Sequence, residues 1–223
     1  MAKAMIGPLV FGVLGVALLL WLGSWQVQRL GWKQNVLAEI ATQIAADPVS
    51  LPILPDASAD RFLAVFAEGR FDSAEVHVLA SNKDTGAGYR VIGVLLSDGR
   101  RIMVDRGFVG LTAKDDLRGG GQLQVVGNLH WPDEVDKYTP KTDGAANIWF
   151  ARDVPAMALA LNAEPVLIVA SQATGDGVVP FPVNTASIPN NHLNYAITWF
   201  LLAAVWFGMT VYLLWRIKRQ TNQ

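Results

Sequence analysis

MIGPLVFGVLGVALLLWLGSW (Met5–Trp25) and LNYAITWFLLAAVWFGMTVYLLW (Leu193–Trp215) contain no Asp, Glu, Lys or Arg, and their reading decides the fold. At about 1.5 Å rise per residue, each makes a helix of about 30 Å, the hydrocarbon thickness of a bilayer. Uncharged runs of this length are expected to span a membrane rather than to be core helices. Polar and aromatic residues crowd where each run leaves the apolar zone. Trp25-Gln26-Val27-Gln28-Arg29 follows the first run, and Asn190-Asn191-His192 opens the second. Two spans put both termini on one side and everything between them on the other. The expected organisation is two transmembrane helices, 5–25 and 192–215, flanking an extracytoplasmic α+β domain at 26–191. That domain is expected to be mostly antiparallel β with a few short helices, and 216–223 is a tail on the side of the termini.

Basic residues set the orientation. Lys3 precedes the first span, and Arg216, Lys218 and Arg219 follow the second, against Arg29 and Lys33 on the other side. The balance predicts both termini in the cytoplasm and the domain outside it. The first span is too long for a signal peptide, and Trp25-Gln26 is a poor substitute for a small-x-small cleavage site. No Arg/Ser-rich transit region precedes Ile6. These features point to a bacterial inner membrane, with a periplasmic domain.

Composition narrows the chemistry. The net charge is −1 and 52% of residues are apolar, so nothing suggests a nucleic-acid footprint. Cysteine is absent, which removes disulfides, thiolate metal sites and c-type haem attachment together.

Between the spans, apolar residues at Val36, Leu37, Ile40, Ala41 and Ile44 recur with a helical period. Gly31–Ala46 is therefore expected to prolong the first helix, with 48–55 as a linker. Runs at 61–69, 75–81, 89–96, 100–109, 122–131 and 165–171 read as strands. Ser97-Asp98-Gly99 signals a hairpin, because Gly takes the positive φ that tight turns need. Asp153-Val154-Pro155 opens a short helix through Leu161, with Asp153 as cap and Pro155 in the first turn. Residues 115–121 and 132–146 read as loops.

Few residues invite catalysis. His77 lies opposite Val76 and Val78 and is expected on a solvated strand face; His130, before Trp131-Pro132, is expected at a solvated strand end. No histidine pair has zinc-site or iron-site spacing, Gly119-Gly120-Gly121 lacks the Lys-Ser/Thr of a P-loop, and the carboxylates read as loop surface. An enzyme is not indicated. The junctions remain. His192, Ala196, Trp199, Ala203 and Trp206 share one helical face, and Leu18, Trp25, Arg29 and Trp32 share another. A neutral imidazole is the usual haem-iron ligand, the neighbouring rings could cover a porphyrin, and Arg29 could pair with a propionate. A solvated interfacial histidine fits the same pattern.

Gly23-Ser24-Trp25-Gln26-Val27-Gln28-Arg29-Leu30-Gly31-Trp32-Lys33 fits Gly-x-Trp-Gln-x-x-Arg-x-x-Trp-Lys. Asn190-Asn191-His192-Leu193-Asn194-Tyr195-Ala196-Ile197-Thr198-Trp199-Phe200 fits Asn-x-His-Leu-x-Tyr-x-x-Thr-Trp-aromatic. Both resemble the surfeit-locus-protein-one (Shy-type) family of cytochrome c oxidase assembly factors. Gly69-Arg70-Phe71-Asp72, Val104-Asp105-Arg106-Gly107-Phe108-Val109 and Trp149-Phe150-Ala151-Arg152-Asp153 are similar to its internal landmarks, in order. Two departures stand out: 132–147 lacks much of the usual Arg/Pro-rich pattern, and Phe200 replaces a frequent Tyr. The resemblance implies help in placing haem a into the catalytic subunit of a haem–copper oxidase, with haem a synthase as a further partner. It makes His192 the axial ligand, with Trp199, Trp25 and Arg29 completing the pocket. Copper delivery conflicts with composition, since copper carriers need soft ligands and the five methionines are scattered. A second reading keeps the family without the cofactor: a scaffold that holds an immature subunit by close helix packing at Gly12, Gly15, Ala203, Ala204 and Gly208. A third, a two-span sensor, fits poorly with so short a tail.

Overall fold

The computed structural model describes residues 2–82, 86–119, 121–186 and 188–221. It divides into two units, one formed by Met1–Glu39 with Ala186–Gln223 and the other by Ile40–Thr185.

The first unit is built on two helices, α1 (Ala2–Ile44) and α3 (His192–Thr221). Both are long and apolar enough to cross a membrane. The helical period at 36–44 is continuous with the first apolar run, so α1 is one uninterrupted helix of 43 residues. The expected tail is helical too, as α3 carries on through Arg216 to Thr221. Small residues on α1 let the two helices approach. A Cβ added at Gly12 would meet Thr210, one at Gly15 would meet Trp206, and one at Gly23 would meet Phe200. Ala196 and Ala203 are buried on the facing side of α3. Ala204 and Gly208 are exposed, and nothing lies within 4 Å of a Cβ added at Gly208.

The second unit is a sheet domain. Its strands are β1 (Val49–Ser50), β2 (Ala64–Asn82), β3 (Gly86–Ser97), β4 (Arg100–Gly110), β5 (Gln122–Leu129), β6 (Ile148–Trp149) and β7 (Glu164–Ala170), with α2 (Val154–Leu161) before β7. The runs at 61–69 and 75–81 merge into the single strand β2, bent at a register irregularity between Phe71 and Glu75. Its first half pairs with β5 and its second half with β3. With β3–β4, β4–β7 and β5–β7 also paired, β2, β3, β4, β7 and β5 form a closed ring.

The sheet is mixed, which corrects the expectation of a mostly antiparallel one. The β1–β2, β2–β6 and β4–β7 pairs are parallel; β2–β3, β2–β5, β3–β4 and β5–β7 are antiparallel. Apolar alternation reports which face a residue takes and says nothing about strand direction. The parallel β4–β7 pair requires a long crossover, and residues 111–163, carrying β5, β6 and α2, provide it.

Both faces of the sheet are buried. Val65, Leu95, Ile102, Val104, Val125, Leu129 and Ile168 form one cluster. Ile92, Val94, Met103, Leu167 and Val169 form another with Met157 and Leu161 of α2. Successive strand residues point to opposite faces, so Ile102 and Val104 join one cluster and Met103 the other. Strands buried on both sides read as near-continuous apolar runs, as 102–104 and 166–170 do. The capping expectation holds: Asp153 accepts from the Ala156 N–H at 3.1 Å, and Pro155 sits in the first turn. So does the hairpin, where Asp98 and Gly99 have φ of 49° and 78°.

Candidate functional site

At the N-terminal end of α3, His192 Nδ1 lies 2.8 Å from Gln26 Oε1 on α1. Gln26 is 9% exposed and His192 is half-buried. An amide oxygen only accepts, so the bond requires a proton on Nδ1. A neutral ring then carries its lone pair on Nε2. That is the arrangement of most metal-bound histidines, in which one nitrogen ligates and the other donates to an oxygen. Two residues upstream, Asn190 Oδ1 is buried and unpartnered.

Helix geometry assembles this pair. Gly12, Gly15, Gly23 and Gln26 lie within a quarter-turn stripe of α1, so the face whose glycines meet α3 also carries the glutamine. Gln26 went unmarked as a site residue in the sequence, although it stands in the first motif. Its spacing from the three glycines was the available signal. The other named residues lie differently. Trp199 is half-buried on α3, Trp25 is 43% exposed, and the Arg29 guanidinium lies 4.5 Å from the centre of the Trp32 ring. The structure therefore joins His192 to Gln26 and stacks Arg29 on Trp32.

The sheet domain holds two buried polar clusters that sequence reading missed. His77, expected on a solvated face, is 4% exposed. Its Nε2 lies 2.9 Å from Glu75 Oε1, and its Nδ1 faces the Asn147 amide. Burial pushes the Glu75 carboxyl up, but the His77 hydrogen bond and the Arg118 charge outweigh it and hold the carboxyl below its ordinary range. Glu75, His77 and Arg118 line a cavity of about 250 Å³, with Arg106 on its wall. Arg106 is the extra residue of a bulge, since Val91 pairs with Gly107 and Ile92 with Asp105. Its guanidinium lies 4.3 Å from the Phe71 ring centre and bonds Thr174 and Asp176. Gly107, at φ 127°, lets the Val179 carbonyl approach where a Cβ would collide.

The second cluster centres on Asp105, which is fully buried on β4. Arg90 Nε donates to its Oδ2 at 2.6 Å, Arg152 reaches the same oxygen at 3.4 Å, and Oδ1 has no partner. Arg152 also grips Glu134 through several bonds. His130, expected solvated, is half-buried and stacked on Phe62 with centroids 5.4 Å apart. Burial, followed by the charges of Arg152 and Arg61, pushes its imidazole down to about 4. Among the described residues no three His, Cys, Asp or Glu side chains gather as a metal cluster. His192 is thus a lone ligand candidate, held by an amide.

Two apolar helices long enough to cross a membrane, a mixed-sheet domain encoded between them and an imidazole at the start of α3 bonded to Gln26 of α1 define the class of this chain. The SURF1 family matches residues 13–204. Surfeit locus protein 1 of Homo sapiens is 31% identical over 216 residues, covering 83% of this chain and 72% of its own. SURF1-like proteins of Monosiga brevicollis and Drosophila melanogaster are each 28% identical, covering 93% and 94% of this chain and 88% and 80% of their own. The chain belongs to the SURF1 family.

Proposed function

We propose that this protein assists assembly of a haem–copper oxidase by holding haem a for the catalytic subunit, with His192 as the iron ligand. Family membership supports the oxidase role. The haem role rests on one observation, the 2.8 Å contact that ties up Nδ1 of His192 and leaves Nε2 as the free nitrogen.

The donor set fits the group. A neutral imidazole is a common haem ligand, and the unpartnered Asn190 Oδ1, two residues upstream, can accept a hydrogen bond from a protonated oxygen or a water. Bound there, haem a supplies an iron atom that takes the imidazole lone pair. The chain's own work is to aim that lone pair, to offer the half-buried Trp199 as apolar cover, and to present Arg29 and Trp25 at the end of the first apolar run. Arg29 is exposed, stacked on Trp32 and without an ion pair among the described residues, so it can meet an acidic group from water. An apolar macrocycle favours apolar surroundings while its propionates need water, so a helix boundary meets both needs. The reading places the protein in a bacterial inner membrane with both termini cytoplasmic. It names the oxidase catalytic subunit as recipient and haem a synthase as source.

The test is the haem content and Soret spectrum of protein purified from membranes that make haem a. His192→Ala should lose most of the bound haem and shift the Soret band of any remainder, while inserting normally. Equal haem yield and an unchanged spectrum would refute ligation by His192. In a deletion strain, purified oxidase should carry less haem a and turn over more slowly per complex, without losing either entirely.

A further inference from the structure

The geometry points to Gln26 as the positioning residue of the site: its side-chain oxygen sets the tautomer and direction of the His192 ring so that Nε2 faces outward as a ligand. The inference rests on the haem reading for its purpose, but its physical content concerns the ring alone.

A free neutral imidazole distributes its proton between two nitrogens, and at a helix end it can turn about χ1 and χ2. Three features remove that freedom. Gln26 Oε1 is an acceptor only, so at 2.8 Å it selects the Nδ1–H form. Gln26 is itself 9% exposed, so water competes poorly for the oxygen. It projects from the stripe of α1 on which Gly12, Gly15 and Gly23 admit Thr210, Trp206 and Phe200. That packing fixes the acceptor's position. The bond also joins the two helices, so the ring is aimed by one element while carried on another. Loss of such an outer partner typically weakens metal binding about 10–100-fold, and a stronger acceptor makes the ring a stronger donor to the metal.

Full-length protein in detergent, with ¹⁵N-labelled histidine, tests this directly. His192 resonances, assigned by their loss in His192→Ala, should show the proton on Nδ1 in the wild type. Gln26→Leu, close in size but without an acceptor, should shift the proton toward Nε2. With haemin as the probe, Gln26→Leu should bind about 10–100-fold more weakly. Gln26→Glu should restore the Nδ1–H form and most of the affinity, and should lower the reduction potential of bound haemin relative to wild type. A merely structural role for Gln26 would change folding without this pattern. A wild-type proton on Nε2, or a tautomer unmoved in Gln26→Leu, would overturn the inference. Wild-type protein that holds its proton on Nδ1 yet binds no haemin would leave the positioning upheld and would reject the haem reading instead.

Discussion

Gly15 faces the indole of Trp206 so closely that a Cβ placed on it would lie 2.3 Å from Trp206 Nε1. The two helices meet through that missing side chain. Gly15→Leu forces the indole aside, and overpacking of this kind costs about 1–3 kcal/mol. The thermal midpoint of the detergent-solubilised protein should fall by several degrees. Gly7→Leu, at a position with open space around it, should leave it unchanged, and adding Trp206→Ala should recover part of the loss. A stable Gly15→Leu would mean that the helices do not meet on this face.

The Asp105 carboxylate should matter more to folding than any other single charge in the sheet domain. Its removal leaves the buried Arg90 without a counter-charge, held only by the Phe181 carbonyl and ring, and deprives Arg152 of a second anion. Breaking a buried pair from one side typically costs about 3–5 kcal/mol. Asp105→Ala should therefore expose the domain to limited proteolysis at temperatures the wild type tolerates. Asp105→Asn, which keeps the shape and one acceptor, should lose less. Wild-type protease resistance in Asp105→Ala would argue against the pair as a folding element.

His130 makes the domain sensitive to mild acid. Its pKa is held near 4 in the folded protein, below the ordinary 6.5. The unfolded chain thus binds more protons between those values, and stability falls as pH drops from about 6.5 to about 4. A single proton limits the slope to about 1.4 kcal/mol per pH unit. The lowered carboxylates Glu75 and Glu134 act at lower pH, through and below their ordinary value of 4.5. His130→Gln should flatten unfolding curves between pH 6.5 and 4.5 and leave the acid limb in place. An unaltered curve would reject the assignment.

Arg29→Ala should weaken haem retention less than His192→Ala does. An exposed charge contact is partly screened by water, and Arg29 is stacked on Trp32 in the structure. Raising ionic strength should narrow the gap between wild type and Arg29→Ala. A loss as large as that of His192→Ala would make Arg29 an integral part of the site.

The orientation is testable with fusions. A reporter active only outside the cytoplasm should work when joined after Asn190 and fail when joined after Gln223. The reverse pattern would invert the topology.

Those elements whose cause is local could be read from the sequence: both apolar helices, the Asp98–Gly99 turn, and α2 with its Asp153 cap. Each follows from a few neighbouring residues. What depends on distant partners could not. His77 alternates correctly with Val76 and Val78, yet the face it occupies is covered by Asn147 and Arg118 from loops more than 40 positions away. Strand direction was hidden for the same reason, because nothing in 164–170 records that its neighbour is 102–105. At the candidate site, His192 was conspicuous through its motif. Its partner Gln26 stands in the other motif and on the glycine stripe, but that the two side chains meet follows only from the packing of α1 against α3.

The joined strands carry one last implication. β3, β4, β5 and β7 each have partners on both sides, and β1 and β6 cover parts of the flanks left by the bent β2. An open sheet edge is a ready template on which another chain can add as an extra strand. This domain has little unpaired edge to lend. On the proposed assembly role, contact with a client would be made by side chains, whose fit can be broken when the client matures, rather than by shared main-chain ladders.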